Sequence, residues 1–399
     1  MWTGDNLPIL RGMNSDSVDL IYLDPPFNSN TNYAAPIGSK AAGAEFKDTW
    51  SLSDVDAEWI NLIESKHPAL HRVLLAAMTN SDKSYLAYMA ARLLEIRRIL
   101  KPTGSIYLHC DPTMSHYLKL LMDAIFVDGD EYSFRREIVW DIAVLSGFKT
   151  KAKNWIRGHD TILFYCGESF TWNPPRQEHD QKYLDRFDKV AEDGRRYFGG
   201  RGKRRYLNEV VAKGKAVGDV WSDIMSFQQT PTAKEKVGYP TQKPLKLLNR
   251  IIQASSNERD TVLDPFCGCA TACVSAEANF RQWAGIDISP KAAELVDGRI
   301  KDELGGLFQC VRRTDIPKRT DLGKLAPYKS HKAALYGQQE GHCTGCGEHF
   351  KAPNLTVDHI IARNKGGTDH IENLQLLCGH CNSVKGDRGM EYLRAKLQL

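Results

Sequence analysis

The chain has 399 residues, 42% of them hydrophobic and 26% charged, with a formal net charge of +4. That is room for two or three domains and a sizeable core; no apolar run is long enough to span a bilayer, and the opening Met1-Trp2-Thr3-Gly4-Asp5 has no signal-peptide character. Ten cysteines in so long a chain argue against a secreted disulfide framework, since four have metal spacing and the rest sit singly in apolar segments; a cytoplasmic setting is expected.

In chain order, the first strong element is Val18-Asp19-Leu20-Ile21-Tyr22-Leu23, an apolar run that predicts a buried parallel strand. Asp24-Pro25-Pro26-Phe27 follow at its carboxyl end, where open α/β sheets place their chemistry. The prolines stiffen the loop and supply no backbone N–H. What remains is a rigid row of acceptors beside a flat apolar ring. That suits an exocyclic amino group on a flat base: Asp24 and the Pro25 carbonyl accept from the amine, and Phe27 stacks on the base. A helix is predicted from about Ser81 to Leu100, with Tyr85, Leu86, Tyr88, Met89, Leu93, Leu94, Ile96 and Ile99 on a broad apolar face. Ser105 to His109 reads as a strand, Ser115 to Phe126 as a helix, and Ile138–Trp140 and Thr161–Tyr165 as further strands. His109 and Cys110 read as core or loop residues rather than ligands. Between 195 and 205, Arg195, Arg196, Arg201, Lys203, Arg204 and Arg205 occur with no acid, interleaved with Tyr197 and Phe198 and followed by Tyr206; that mixture favours nucleic-acid contacts over a merely solvated face.

Downstream, Tyr239-Pro240-Thr241-Gln242-Lys243-Pro244-Leu245 opens a helix expected over Leu245–Ser255, for which Thr241 is a candidate N-cap. Thr261-Val262-Leu263 is a short apolar run ending in Asp264-Pro265-Phe266-Cys267-Gly268-Cys269-Ala270-Thr271. A helix follows to about Asn279, then a strand, Gln282–Asp287, whose closing acid lies 19 residues after Gly268. This is nucleotide-type βαβ logic: a glycine turn lets backbone approach the ligand, and the acid on the second strand holds ribose hydroxyls.

Together these residues resemble the β-class amino-group DNA methyltransferases, which methylate adenine N6 or cytosine N4. Asp24-Pro25-Pro26-Phe27 resembles their catalytic motif, and Asp264-Pro265-Phe266-x-Gly268 their cofactor motif. The order of motifs, catalytic first and cofactor last with a basic insert between, is that of the β class, and with Asp before the prolines it tilts toward adenine N6. The resemblance implies a Rossmann-like α/β methyltransferase sheet over 1–309, with 170–236 as target-recognition insert. It implies S-adenosylmethionine as cofactor, bound by Asp264, Phe266, Gly268, Ala270 and Asp287, with Thr241 and Lys243 of T-Q-K-P against its methionine end. Asp5 resembles a position near the same pocket and reads equally as a turn or cap. Cys269-Ala270 replace the usual Ser-Gly; alanine fits there if the backbone holds a negative φ. Double-stranded DNA is the implied partner, and the class often dimerises, so a homodimer is one implied assembly.

Composition changes after Arg312-Arg313. Residues 310–335 read as a linker, and residues 312–399 hold 14 Lys+Arg against 9 Asp+Glu. Cys343-x-x-Cys346 and Cys378-x-x-Cys381, with 31 residues between the pairs, are a strong structural Zn2+ signal. Between and after them stand Asp358-His359, Gly366-Gly367, Glu372-Asn373-Leu374 and Asn382. Residues 336–399 thereby resemble an HNH nuclease, a small zinc-stapled ββα-metal domain. The resemblance implies Asp358 and Asn382 as ligands of Mg2+ or Mn2+, His359 as general base, and Asn373 as the residue orienting the His359 loop. The first reading is thus an adenine methyltransferase fused to an HNH endonuclease, working in restriction–modification or carried by a phage or mobile element. An N4-cytosine methyltransferase whose zinc domain only binds DNA is the alternative, and a non-catalytic DNA-binding protein is a third.

Overall fold

A computed structural model describes residues 1–28, 33–34, 39, 41, 45–46, 67–127, 131–142, 151, 153–199, 203–305, 310–323 and 325–397. Arg201 of the basic run lies outside them.

Eight strands form the main sheet: β1 (Trp2–Thr3), β2 (Val18–Leu23), β3 (Leu100–Cys110), β4 (Tyr132–Asp141), β5 (His159–Gly167), β6 (Val220–Trp221), β7 (Thr261–Asp264) and β8 (Gln282–Asp287). Their order is β1-β8-β7-β2-β3-β5-β4-β6, and β5 alone runs antiparallel to its neighbours. The helices that matter for the sites are α1 (Asn6–Gly12), α2 (Asn80–Ile99), α3 (Ser115–Met122), α4 (Leu245–Ser255), α5 (Thr271–Ala278) and α6 (Pro290–Leu304). The expected strands and helices are all present. The strand expected to begin at Ser105 instead starts at Leu100, directly off α2.

Both faces of the sheet are covered, which is why β2 is apolar at consecutive positions rather than alternate ones. Ile21 and Leu23 pack with Leu86, Met89, Leu93 and Ile96 of α2 on one face. Leu20 and Tyr22 pack with Leu247, Leu248 and Ile251 of α4 on the other. After β2 the chain moves to β3 on one side, and after β7 to β8 on the other. The β2–β7 boundary is therefore a topological switch point, where loops diverge and leave a crevice. Val262 pairs with Leu20 and Leu263 with Ile21, so the two loops leave the sheet at nearly the same height.

The insert carries a small antiparallel sheet, Lys189–Val190, Arg196–Phe198 and Arg205–Tyr206. Its cations lie on its rings: Arg195 is 3.9 Å from the centroid of Tyr206, Arg204 is 4.9 Å from Tyr197 and Arg186 is 4.4 Å from Phe198.

The expected linker is not free chain over residues 310–321. Thr3 N donates to the Arg313 carbonyl at 2.9 Å, Arg313 N to Met1 at 2.8 Å, and the terminal amine to Val311 at 2.9 Å. Thr320 and Asp321 bond Asn14 and Ser15. These bonds fasten the strap to the N-terminal body. Its polar sequence gave no hint of that, because the bonds are mostly from backbone.

The C-terminal region pairs β9 (Leu355–His359) with β10 (Leu374–Cys378), followed by α7 (Gly379–Lys385) and α8 (Met390–Leu397). It has its own core, centred on Leu355, Leu374, Leu376, Leu377 and Leu393 with three of the four paired cysteines. It touches the larger body at α1: a Cβ on Gly366 would stand 2.9 Å from the Pro8 carbonyl oxygen.

Two candidate active sites

Asp24 leaves the end of β2 into the crevice. Both its oxygens are held by the Lys243 ammonium, at 2.8 and 2.6 Å, and the two side chains are only 15% and 9% exposed. Lys243 also donates to the Thr241 carbonyl at 3.3 Å and lies 5.3 Å from the Phe27 centroid. The sequence reading set Lys243 beside the cofactor; here its amine sits on the carboxylate where the amine of a base was expected. Phe27 stacks on His109, 5.9 Å between centroids at 23°. The loop ends at Asn28, at positive φ, whose side chain bonds Asp82 and Ser81 at the start of α2.

His109 is fully buried, as expected of a core residue, but it is wired. The Tyr22 hydroxyl is 2.8 Å from its Nδ1, and Nε2 is 3.0 Å from Asp160, which Arg157 also grips. Burial pushes the Asp160 carboxyl up, but the His109 hydrogen bond, aided by nearby cations, holds it down to about 2. The Phe27 ring therefore rests on an imidazole that cannot turn.

The cofactor-type loop springs from β7. Asp264 is buried and accepts from Phe266 N at 3.1 Å, and burial pushes its carboxyl well up. Gly268 has φ +50° and donates its N–H to Asp287 at 2.9 Å; the other Asp287 oxygen accepts from Ser289 N at 2.8 Å. Burial raises the Asp287 carboxyl to about 6. Ala270 departs from expectation: its φ is +58° rather than negative, and it caps α5 in the left-handed region. Hydrogen bonds on both sides, Ala270 N to Cys267 O and Val274 N to Ala270 O, impose that conformation on a residue for which it costs about 1 kcal/mol. Thr241 does not cap α4. Pro244 stands at that position and Leu245 N is met by Glu235 at 3.0 Å. The Thr271 hydroxyl instead ties the Lys243 carbonyl to α5 at 3.2 Å.

Asp5 caps α1 by accepting from Leu7 N at 3.0 Å, and it pairs with Arg92 at 2.8 Å. Arg92 also donates to Asn6 at 2.6 Å, and Asn6 donates to the Pro265 carbonyl at 2.8 Å. Cap and loop support are one structure. Neither Asn6, beside Asp5, nor Arg92, a single charge in an apolar stretch of α2, carried a sequence signal for this pairing.

In the second site, Asp358 and His359 end β9. Asn373, expected to orient the His359 loop, bonds within it: its amide donates to the Ile361 and Thr368 carbonyls at 3.0 and 2.9 Å, and its oxygen accepts from Ile361 N at 2.9 Å. Two groups were missed. Lys385 is fully buried, 3.0 Å from Asp358 and 2.9 Å from the His359 carbonyl oxygen. Gln375 donates to the same Asp358 oxygen at 3.0 Å. Neither the other Asp358 oxygen nor the Asn382 side chain has a hydrogen bond to a described residue. Nearby, Cys343, Cys346, Cys378 and Cys381 bring four sulfurs within 4.8 Å of one another. Backbone N–H groups of Cys378 and Cys381 point at the sulfurs of Cys343 and Cys378, at 3.2 and 3.4 Å. Four thiolates with that support fit a tetrahedral Zn2+, whose S–Zn bonds are about 2.3 Å.

Residues 18–297 match the N6/N4 DNA methylase family, and residues 343–388 match the HNH endonuclease family. The chain belongs to the N6/N4 DNA methylase family and carries a C-terminal HNH domain. It is 24% identical over 304 residues to the type II methyltransferase M.BamHI of Bacillus amyloliquefaciens, covering 76% of this chain and 57% of that protein. It is 25% identical over 336 residues to the DNA adenine methyltransferase YhdJ of Escherichia coli, covering 82% and 87%. Among solved structures, the M1.HpyAVI–SAM complex matches 75% of this chain and 99% of that one, at 15% identity and a TM-score of 0.42. The chain thus spans little more than half the length of M.BamHI. No helix among the described residues is long and apolar enough to cross a membrane.

Proposed function

We propose that this DNA methylase transfers a methyl group from S-adenosylmethionine to adenine N6 in duplex DNA. We propose too that its HNH domain cuts DNA with Mg2+ or Mn2+, the pair serving restriction–modification or a related phage or mobile-element role in the cytoplasm. One observation carries the reading: Asp24 with Phe27, and Gly268 with Asp287, leave adjacent strand ends at the switch point. An amine acceptor and a nucleoside-type turn thus share one crevice. The Asp before the prolines, and the similarity to the DNA adenine methyltransferase YhdJ, support adenine over cytosine.

The residues fit the cofactor. Asp287 keeps a lone pair on each oxygen for ribose hydroxyls, and Gly268 lets backbone come close. S-adenosylmethionine, when bound, supplies a methyl group already electrophilic on sulfur. The protein's part is to orient and stabilise. Asp24 and the Pro25 carbonyl accept from the target amine, which favours a pyramidal nitrogen and opposes the positive charge developing there. Phe27, braced by His109, stacks on the flipped base and offsets its lost stacking. Each Asp24 oxygen accepts one bond from Lys243 and keeps a second lone pair, so the amine can dock beside the ammonium. Methylation-detecting sequencing of DNA from cells expressing the protein reports the base and the site. Marks on cytosine N4 would replace the adenine assignment, and no mark would remove the activity.

A pH dependence follows from Asp287. Its folded-state pKa is raised to about 6 by burial, so below that pH it takes up a proton and loses acceptor capacity. If the ionised form is the one that binds, cofactor affinity falls about fourfold from pH 7.5 to 5.5. Calorimetry over this range should show the fall, and Asp287→Asn should bind weakly with the fall abolished.

The nuclease half is tested by incubating supercoiled DNA with Mg2+ or Mn2+. Wild-type protein should nick it and His359→Ala should not; equal nicking by both would leave the HNH domain as a DNA-binding module.

A further inference from the structure

The HNH resemblance gives His359 a role but no partner, and the structure supplies one. Nε2 of His359 lies 2.8 Å from Oδ1 of Asp369, ten residues on and across the turn that carries Gly366. A carboxylate has no proton to give. Burial would push the Asp369 carboxyl up, but hydrogen bonds from Arg363 and His359 and their charges bring it below the ordinary range. Nε2 must therefore carry the ring proton, which leaves the lone pair on Nδ1. No described residue hydrogen-bonds Nδ1.

The carboxylate is itself fixed. The Arg363 fork takes both oxygens, Nε at 2.8 Å and Nη2 at 2.5 Å. The ring is also flanked: Tyr328 lies 4.9 Å from it, centroid to centroid, and Arg363 covers the Tyr328 face at 5.0 Å. Tyr328 comes from the segment read as linker. Asp369, Arg363 and Tyr328 thus close a cycle of contacts with the imidazole.

We propose that Asp369 is the positioning residue of the nuclease centre, fixing the His359 tautomer and ring so that Nδ1 faces the water to be activated, with Arg363 and Tyr328 locking the pair. This rests on the nuclease reading above. In the step it serves, Nδ1 takes one proton from water while the water oxygen bonds to phosphorus. One P–O ester bond breaks with its electron pair on the leaving oxygen, which solvent then protonates. Asp369 stays ionised throughout and stabilises the imidazolium.

The test uses full-length, zinc-loaded protein labelled with 15N-histidine. In wild type, with the ring neutral and without Mg2+ or Mn2+, the ring spectrum should show His359 protonated at Nε2 alone. In Asp369→Ala it should become a mixture, at unchanged zinc content and thermal midpoint. Arg363→Gln, which leaves the Asp369–His359 bond in place, should keep the tautomer. Nicking by Asp369→Ala should fall about 10²-fold in kcat, the lower range for general-base catalysis, with unchanged DNA affinity. Asp369→Glu should recover part of it. An Asp369→Ala protein that keeps the Nε2–H tautomer, or nicks within twofold of wild type, would overturn the proposal. Wild-type protein that shows the tautomer but never nicks would sink the nuclease reading instead.

Discussion

Replacing Asp24 by alanine should reduce methyl transfer by about 10³-fold, the upper range for losing one preorganised charge-stabilising group, while S-adenosylmethionine still binds. The two effects separate because the groups do. Asp24 follows β2, whereas Gly268 lies in the loop after β7 and Asp287 closes β8. The substitution has a side effect that must be controlled. It strands the Lys243 ammonium, 9% exposed, without its carboxylate, and an unpaired buried cation destabilises. Asp24→Asn keeps an acceptor for Lys243, and Asp24→Ala with Lys243→Met removes both charges. All three should be inactive by tritium incorporation into DNA, and Asp24→Ala and Asp24→Asn should keep near wild-type cofactor affinity by calorimetry. Near wild-type methylation by any of them would mean that the carboxylate is not the amine's acceptor.

Removing the zinc should unfold the C-terminal domain and spare the methyltransferase. The core around β9 and β10 is small, and Cys343, Cys378 and Cys381 are buried in it, so a tetrathiolate site would supply much of its stability; binding of a structural Zn2+ is worth about 10–16 kcal/mol in small peptides. Chelation, or Cys381→Ser, should release about one Zn2+ per chain and open residues 325–397 to protease, with methylation changed less than about twofold. Should the region stay protected after the metal is gone, its leucine core suffices and the four cysteines have another purpose.

What could be read in advance was local. An apolar hexapeptide ending in Asp-Pro-Pro-Phe is a strand and a loop by its own sequence, and so is Thr261–Gly268. The cysteine pairs announce themselves by spacing. What escaped was long-range polar pairing. Lys243 meets Asp24 across 219 residues, and His109 meets Asp160 from a neighbouring strand. Nothing in the periodicity of either segment marks the partner. Ala270 shows the converse, since a favourable local rule was overridden: the bonds that close the loop onto α5 decided its φ, and the side chain tolerated it. Tyr328 lies in the stretch that reads as linker and Asp369 among polar residues with no motif of their own, although both contact His359.

The strap of residues 310–321 has a consequence in time. A chain emerges from its N-terminus, so Met1, Thr3, Asn14 and Ser15 lack their strap partners until translation has passed Asp321, and the sheet edge at β1 is finished only then. Cys378 and Cys381, which close the zinc site, come later still; at about 5–20 residues per second the delay is several seconds. On the functions proposed above, each newly made molecule acquires the protective activity before the destructive one. A ribosome that stalls between the strap and Cys378 leaves a protein able to mark DNA and unable to cut it.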